Sequence, residues 1–182
     1  MLKNEQKEIF KEEVKEKYEL PLNVQKFILQ MSWAQHDSQW FLKSIREHGI
    51  ENANQMNKKV ISSVGKIEAK HILTALAVKK GSVKTIRDVF KIFNTIMDIV
   101  IPKVMKFKMI VKNDNEGIGI VNKCFIWKEV EKSKGEKQYE CACNFRHRGW
   151  LDAMGVKGGI TVIKRFSDGD DRCEFIFSLD KN

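Results

Sequence analysis

No stretch of eighteen apolar residues occurs in the chain, so a membrane-spanning helix is not expected. The longest apolar-rich region, around Val89 to Val104, is broken by Lys91, Asn94 and Asp98. The first twenty residues carry no apolar run either, which argues against a secretory signal peptide. Internal repeats and low-complexity segments are absent. Glycine patterns that cradle phosphates are missing too: Gly117-Ile118-Gly119 lacks a third glycine and follows a turn. There is no zinc-finger spacing, no RNA-recognition aromatic signature and no strong helix-turn-helix pattern. Nucleic-acid binding would rest on the net charge of +9 alone and is not expected. Cysteines number only four, Cys124, Cys141, Cys143 and Cys173. With no signal peptide, thiols or metal ligands are expected rather than disulfides, and the compartment is read as cytoplasmic.

What is present fits one domain. A chain of 182 residues with 42% hydrophobic residues can bury a real core. Residues 1–20 form a charged helix or arm whose only apolar handles are Ile9, Phe10 and Val14, and residues 21–182 form a single ligand-binding domain. Apolar residues at three-four spacing (Phe27, Met31, Ala34, Phe41, Ile45) predict a helix over 22–48, ended by Gly49. A second helix is expected over 51–79, with Ala53, Met56, Val60, Val64, Ile67, His71, Thr74 and Val78 on its inner face. Gly65 within it costs about 1 kcal/mol against Ala, which points to close packing or a kink. A third helix, capped by Ser82 and closed by Pro102, carries Val83, Ile86, Phe90, Phe93, Met97 and Val100.

The period then changes from helix to strand. Met105, Phe107, Met109 and Val111 alternate with lysines, and a turn over 113–117 leads to a second strand over 118–125. A short helix is expected over 127–134 and a longer one over 139–154. Strands over 160–166 and 172–179 close the chain, with Cys173, Phe175, Phe177 and Leu179 on one face. Helices and strands segregate, so the class is α+β: a helical N-terminal half packed on an antiparallel sheet with an inserted C-terminal helix.

Three clusters carry candidate chemistry. In Cys141-Ala142-Cys143-Asn144-Phe145-Arg146-His147, Cys143 and His147 stand four apart on one helical face with Trp150 and Met154. A thiolate and an imidazole so placed can hold a metal ion or form an activated nucleophile, and Cys124 and Cys173 lie at strand positions that can reach the same place. Zinc or another transition metal on Cys124, Cys143, His147 and Cys173 is one reading. The plainer one is four small buried hydrophobes. In the second cluster, His36 and Asp37 sit between Trp33 and Trp40, as in an aromatic-lined ligand pocket or simply an amphipathic helix face. In the third, Glu68 and His71 make one Glu-x-x-His pair, where a di-iron bundle needs two, so His71 reads as a core histidine or a pocket residue. Arg146 and Arg148 flank His147 and can grip a carboxylate.

The C-terminal residues resemble a known family. Cys143 followed by Gly149-Trp150-Leu151, then a strand, then Gly169-Asp170-Asp171-Arg172-Cys173-Glu174-Phe175, is similar to the ending of the L-2-amino-thiazoline-4-carboxylic acid hydrolase-like proteins. The stretch from Trp33 to His71 looks like their helical half. The ending also resembles the 4-vinyl reductase domain, whose wider group includes H-NOX domains and the TRAPP trafficking subunits. The resemblance implies helices on an antiparallel sheet with a ligand pocket between them. It implies either hydrolysis of a cyclic C–N bond in a small carboxylate or non-enzymatic small-molecule sensing, sometimes beside zinc, or an assembly role with a homodimer interface. Arg165 stands where the reductase-like pattern usually has a cysteine, and residues 160–163 contain no Glu. Only Cys143 and Cys173 carry over by position. For the hydrolytic form, Cys143, His147, His36 and Asp37 are the expected catalytic set, with Arg146, Trp33, Trp40 and His71 around the substrate.

Overall fold

The computed structural model describes residues 18–132 and 138–180. Along the chain run α1 (Leu22–Ala75), α2 (Ile86–Val100), β1 (Lys106–Val111), β2 (Glu116–Lys123), α3 (Phe125–Lys132), α4 (Cys143–Met154), β3 (Gly158–Lys164) and β4 (Cys173–Leu179). The four strands form one antiparallel sheet in the order β1-β2-β4-β3. This is the α+β arrangement expected. The charged arm over residues 1–20 falls outside the described residues except for 18–20, which are exposed coil, and 133–137 also fall outside.

α3 starts two residues earlier than expected, at Phe125, because β2 already ends at Lys123, and three further helix boundaries differ from expectation, each for a local reason. α1 is two helical arms, 22–48 and 50–75, that meet at Gly49, whose φ of 77° and ψ of 163° belong to no helix. The second arm stops at Ala75 rather than Lys79: the Leu76 N–H closes on Ile72 O, and Ala77 turns to a positive φ of 52°. α2 is capped by Thr85, not Ser82. The Asp88 N–H donates to Thr85 Oγ1 at 3.2 Å and the Thr85 hydroxyl donates to Asp88 Oδ2 at 2.8 Å, a reciprocal pair Ser82 has no partner to match. Ser82 instead donates to Lys79 O at 2.7 Å within the loop. α4 begins at Cys143, so Tyr139 to Cys141 precede it outside any helix or strand.

α2 lies on β1 and β4, α4 touches β3, and α1 packs outside on α4 and α2. The core gathers where these layers meet. Phe93 of α2 stands edge-on to Trp150 of α4 at 4.8 Å and to Phe177 of β4 at 5.4 Å. Cys173, Phe175 and Phe177 alternate inward along β4, as their period of two requires.

The inner face of the second arm of α1 is rotated from the one expected. Met56, Val60, Ile67 and His71 are exposed, whereas Ala53, Asn54, Gly65, Ala69 and Leu73 are buried. Backbone proximity explains this. A Cβ on Gly65 would lie 2.5 Å from the Arg146 carbonyl oxygen, and one on Gly149 would lie 2.4 Å from the Ser62 carbonyl oxygen. Two helices that touch backbone to backbone select small residues along the seam and turn the large apolar ones outward. Of the two readings of Gly65, close packing is the one observed; the kink is at Gly49.

Candidate functional site

The sheet itself draws the cysteines together. β2 ends at Lys123, so Cys124 follows it directly, and Cys173 opens the neighbouring antiparallel strand, paired with Val121. The two thiols therefore stand at the same edge of the sheet. α4 starts over that edge, bringing Cys143 on its first turn and Cys141 just before it. All four cysteines line one enclosed cavity of about 120 Å³. Its walls come from the first arm of α1, the end of α2, β1, β2, the start of α3, α4, and β4, and most of them are apolar. The second arm of α1 does not line it, so the cavity lies under one long arm rather than two.

One buried side chain, Asn54, 2% exposed, holds the approach to α4 in place. Its Nδ2 donates to Gln138 O at 2.8 Å and its Oδ1 accepts from the Glu140 N–H at 3.2 Å. Lys58 forms an ion pair with Glu140 beside it. The amide clamps residues 138–140 from both sides and so fixes where Cys141 sits. Nothing in the sequence marked Asn54, because an asparagine within a long helix carries no periodic signal.

The thiols differ electrostatically. Burial pushes Cys124 up to about 11 and Cys173 up to about 12, despite backbone N–H groups aimed at each sulfur. One of these is the Trp127 N–H, 3.4 Å from Cys124 Sγ. Cys141 moves the other way. The Cys143 side chain hydrogen-bonds to it and, against the opposing effect of burial, the Cys143 N–H and the Arg165 charge help lower it to about 7. Cys143, only partly buried, donates that hydrogen bond, which together with desolvation and the other thiols holds it well above the usual thiol range. Sequence reasoning singled out Cys143 for thiolate chemistry; the local field favours Cys141.

His147 shares the face of Cys143, as its spacing requires, and is wrapped by rings: Phe93, Trp150, Phe175 and Phe177 all lie within 6 Å, centroid to centroid. Burial, with the Arg146 charge adding to it, pushes its pKa down to about 3, so the ring is neutral at ordinary pH. Its Nδ1 is buried and has no hydrogen-bond partner, a costly state for a polar atom. Arg146 also lines the cavity, but its Nε donates to Glu68 Oε2 at 2.9 Å and its Nη2 pairs with Glu68 Oε1. Trp150 Nε1 donates to the same carboxylate at 3.0 Å. Glu68 thus serves an ion pair and an indole, not a metal.

The other predicted residues divide. Trp33 and Asp37 line the cavity, and burial raises the Asp37 pKa against the opposing charges of Arg146 and His36. His36 stacks on Trp33 at 5.4 Å on the solvent side, and Trp40 and His71 are exposed and do not line the cavity. Among the described residues, no group of three or more His, Cys, Asp or Glu side chains is placed to hold a metal ion. Cys124, Cys143, His147 and Cys173 line the same cavity but do not form such a group.

A profile of the family described as L-2-amino-thiazoline-4-carboxylic acid hydrolase matches residues 31–177. The chain belongs to this family. Every cavity residue discussed above, from Trp33 to Phe175, lies within the span matched to the L-2-amino-thiazoline-4-carboxylic acid hydrolase family. No curated protein sequence matches the chain. Among solved structures, it is similar to a trafficking protein particle complex subunit 3 from Naegleria fowleri, solved covalently bound to palmitic acid. The TM-score is 0.55 at 15% identity, covering 87% of this chain and 97% of that one. That likeness is one of fold. No helix among the described residues is long and apolar enough to cross a membrane.

Proposed function

We propose that this family member is a small-molecule-binding protein whose cavity takes an apolar chain carrying one neutral polar head. The observation that carries the reading is His147 Nδ1, a buried polar atom without a partner beside a mostly apolar cavity. An unpaired group of this kind is satisfied by a ligand atom, and the neutral ring, able to donate or accept, suits a hydroxyl, amide or protonated carboxyl head. Arg146 is committed to Glu68, so a small free carboxylate has no open guanidinium fork to meet. The trafficking-subunit structure motivates acyl probes, and a cavity of about 120 Å³ selects short ones of a few carbons. Butyric acid and butanol, followed by native mass spectrometry and calorimetry, are expected to bind one per chain. His147→Leu is expected to weaken binding about tenfold. Absence of binding for every chain length tried, by protein that is folded, would overturn the reading.

The family description favours a second reading, hydrolysis of a cyclic C–N bond. Cys141 would attack the C=N carbon, and Asp37, whose raised pKa suits proton transfer, would act as acid and base. His147, neutral and hard to protonate, and His36, on the solvent side, contribute less. Turnover of 2-amino-thiazoline-4-carboxylate that Cys141→Ser abolishes would favour this reading over simple binding.

The same proposal includes a cytoplasmic homodimer joined through the outer face of α1. The support is a row of exposed apolar residues there, with Leu29 at 70% and Trp40 at 61% exposure.

A further inference from the structure

We propose that Cys141 and Cys143 form a hydroperoxide-oxidisable dithiol that closes to a disulfide across the single residue between them. The inference does not depend on what fills the cavity.

Backbone geometry carries it. Ala142 has φ −100° and ψ 7°, and its carbonyl already accepts from the Phe145 and Arg146 N–H groups at 3.0 and 3.3 Å. The chain is therefore curled as in a helix where it passes between the two cysteines. Helical rise and radius put Cα atoms two residues apart at about 5.4 Å. That falls inside the roughly 4.4–6.8 Å window of real disulfides. An extended Cys-Ala-Cys would hold them farther apart. The Asn54 clamp on residues 138–140 and the start of α4 hold the two ends of this curl, so the pair stays together in the folded protein.

The pair is electrostatically uneven, the Cys143 thiol and N–H favouring charge on the Cys141 sulfur. Negative charge is thus directed onto the Cys141 sulfur, making it the attacking atom and Cys143 the resolving one. Cys124 and Cys173 are held protonated by burial and stand on separate strands. Access exists as well. Cys141, the attacking sulfur, lines the main cavity, and Cys143 lines both that cavity and a second one of about 110 Å³ between α1 and residues 139–146, where Asp37, Ser38 and Asn57 supply polar wall.

The electron balance closes with a hydroperoxide as oxidant. The Cys141 thiolate attacks the terminal oxygen of ROOH, the O–O bond breaks, and RO⁻ leaves to take up a proton as ROH. Cys141 is then a sulfenic acid. The Cys143 sulfur attacks it, the S–O bond breaks, and hydroxide leaves with the Cys143 proton as water. Two thiols and one ROOH become one disulfide, one ROH and one water. So tight a ring is strained, and strained disulfides have the higher potentials that small thiols reverse readily.

Trypsin cleaves after Lys137 and Arg146, so both cysteines fall on one peptide. Full-length protein treated with equimolar hydrogen peroxide, then alkylated and digested, is expected to show that peptide two hydrogens lighter and unalkylated. Glutathione should restore alkylation at both sites. Cys143→Ser should trap a sulfenic acid on Cys141 that dimedone labels, and Cys141→Ser should lose labelling altogether. The inference is overturned if the peptide from oxidised wild-type protein stays alkylated at both positions. It is also overturned if the oxidation maps to Cys124 and Cys173.

Discussion

His147 ties protein stability to pH through one imidazole. In the unfolded chain it titrates near its ordinary value; in the folded protein burial holds it down to about 3. Between those values the unfolded state binds a proton that the native state refuses. This contribution is nil above about pH 6.5, and stability falls as pH drops toward 3. The slope is about 1.4 kcal/mol per pH unit through the middle of that window. His147→Phe, which suits the surrounding rings, should flatten the stability profile by one proton's worth between pH 6 and 4, read from urea midpoints at each pH. Equal slopes in the two proteins would mean that the imidazole is hydrated and free to charge. At this scale the sequence showed part of the site. Four-residue spacing placed His147 beneath Cys143, but the difference between Cys141 and Cys143 depends on a hydrogen bond and on Arg165, which only the folded chain brings near. Asn54 was invisible because its role is to bond backbone groups more than eighty residues away.

Among the elements, α1 and α4 meet backbone to backbone. Gly65 and Gly149 each face a carbonyl oxygen of the other helix, closer than any Cβ tolerates. Gly149→Ala should destabilise the protein by about 1–3 kcal/mol through overpacking, outweighing the gain in helix propensity. Denaturant unfolding would show a lower midpoint with an unchanged slope. A midpoint at or above that of the wild type would mean that the helices separate at no cost. Gly65→Ala acts on the same seam, so the two changes should not add. Sequence periodicity found these helices and misassigned the inner face of the second arm. It ranks positions by apolar bulk, whereas a close helix pair is chosen by the lack of it. The strands were easier to read, because alternation along β1 and β4 is a direct image of which side is covered.

For the whole molecule, the large residues turned outward along α1, Leu29 and Trp40 among them, are the surface on which the proposed homodimer is tested. Sedimentation velocity at micromolar concentration is expected to report twice the chain mass, and Trp40→Glu to return it to the single-chain value. A wild-type protein that sediments as a monomer at every concentration would leave that face without a copy of itself. The α+β architecture was legible in the order of periods, helical first and alternating later. The cavity was not, since it is enclosed by segments far apart in the chain.

The order β1-β2-β4-β3 puts the last strand to be synthesised between two earlier ones. Until residues 173–179 leave the ribosome, β2 and β3 have no common neighbour, and Cys124 has no Cys173 beside it. A nascent chain stalled before that point holds a hairpin and a set of helices but no chamber. Truncation before Cys173 would therefore remove the cavity outright rather than shrink it.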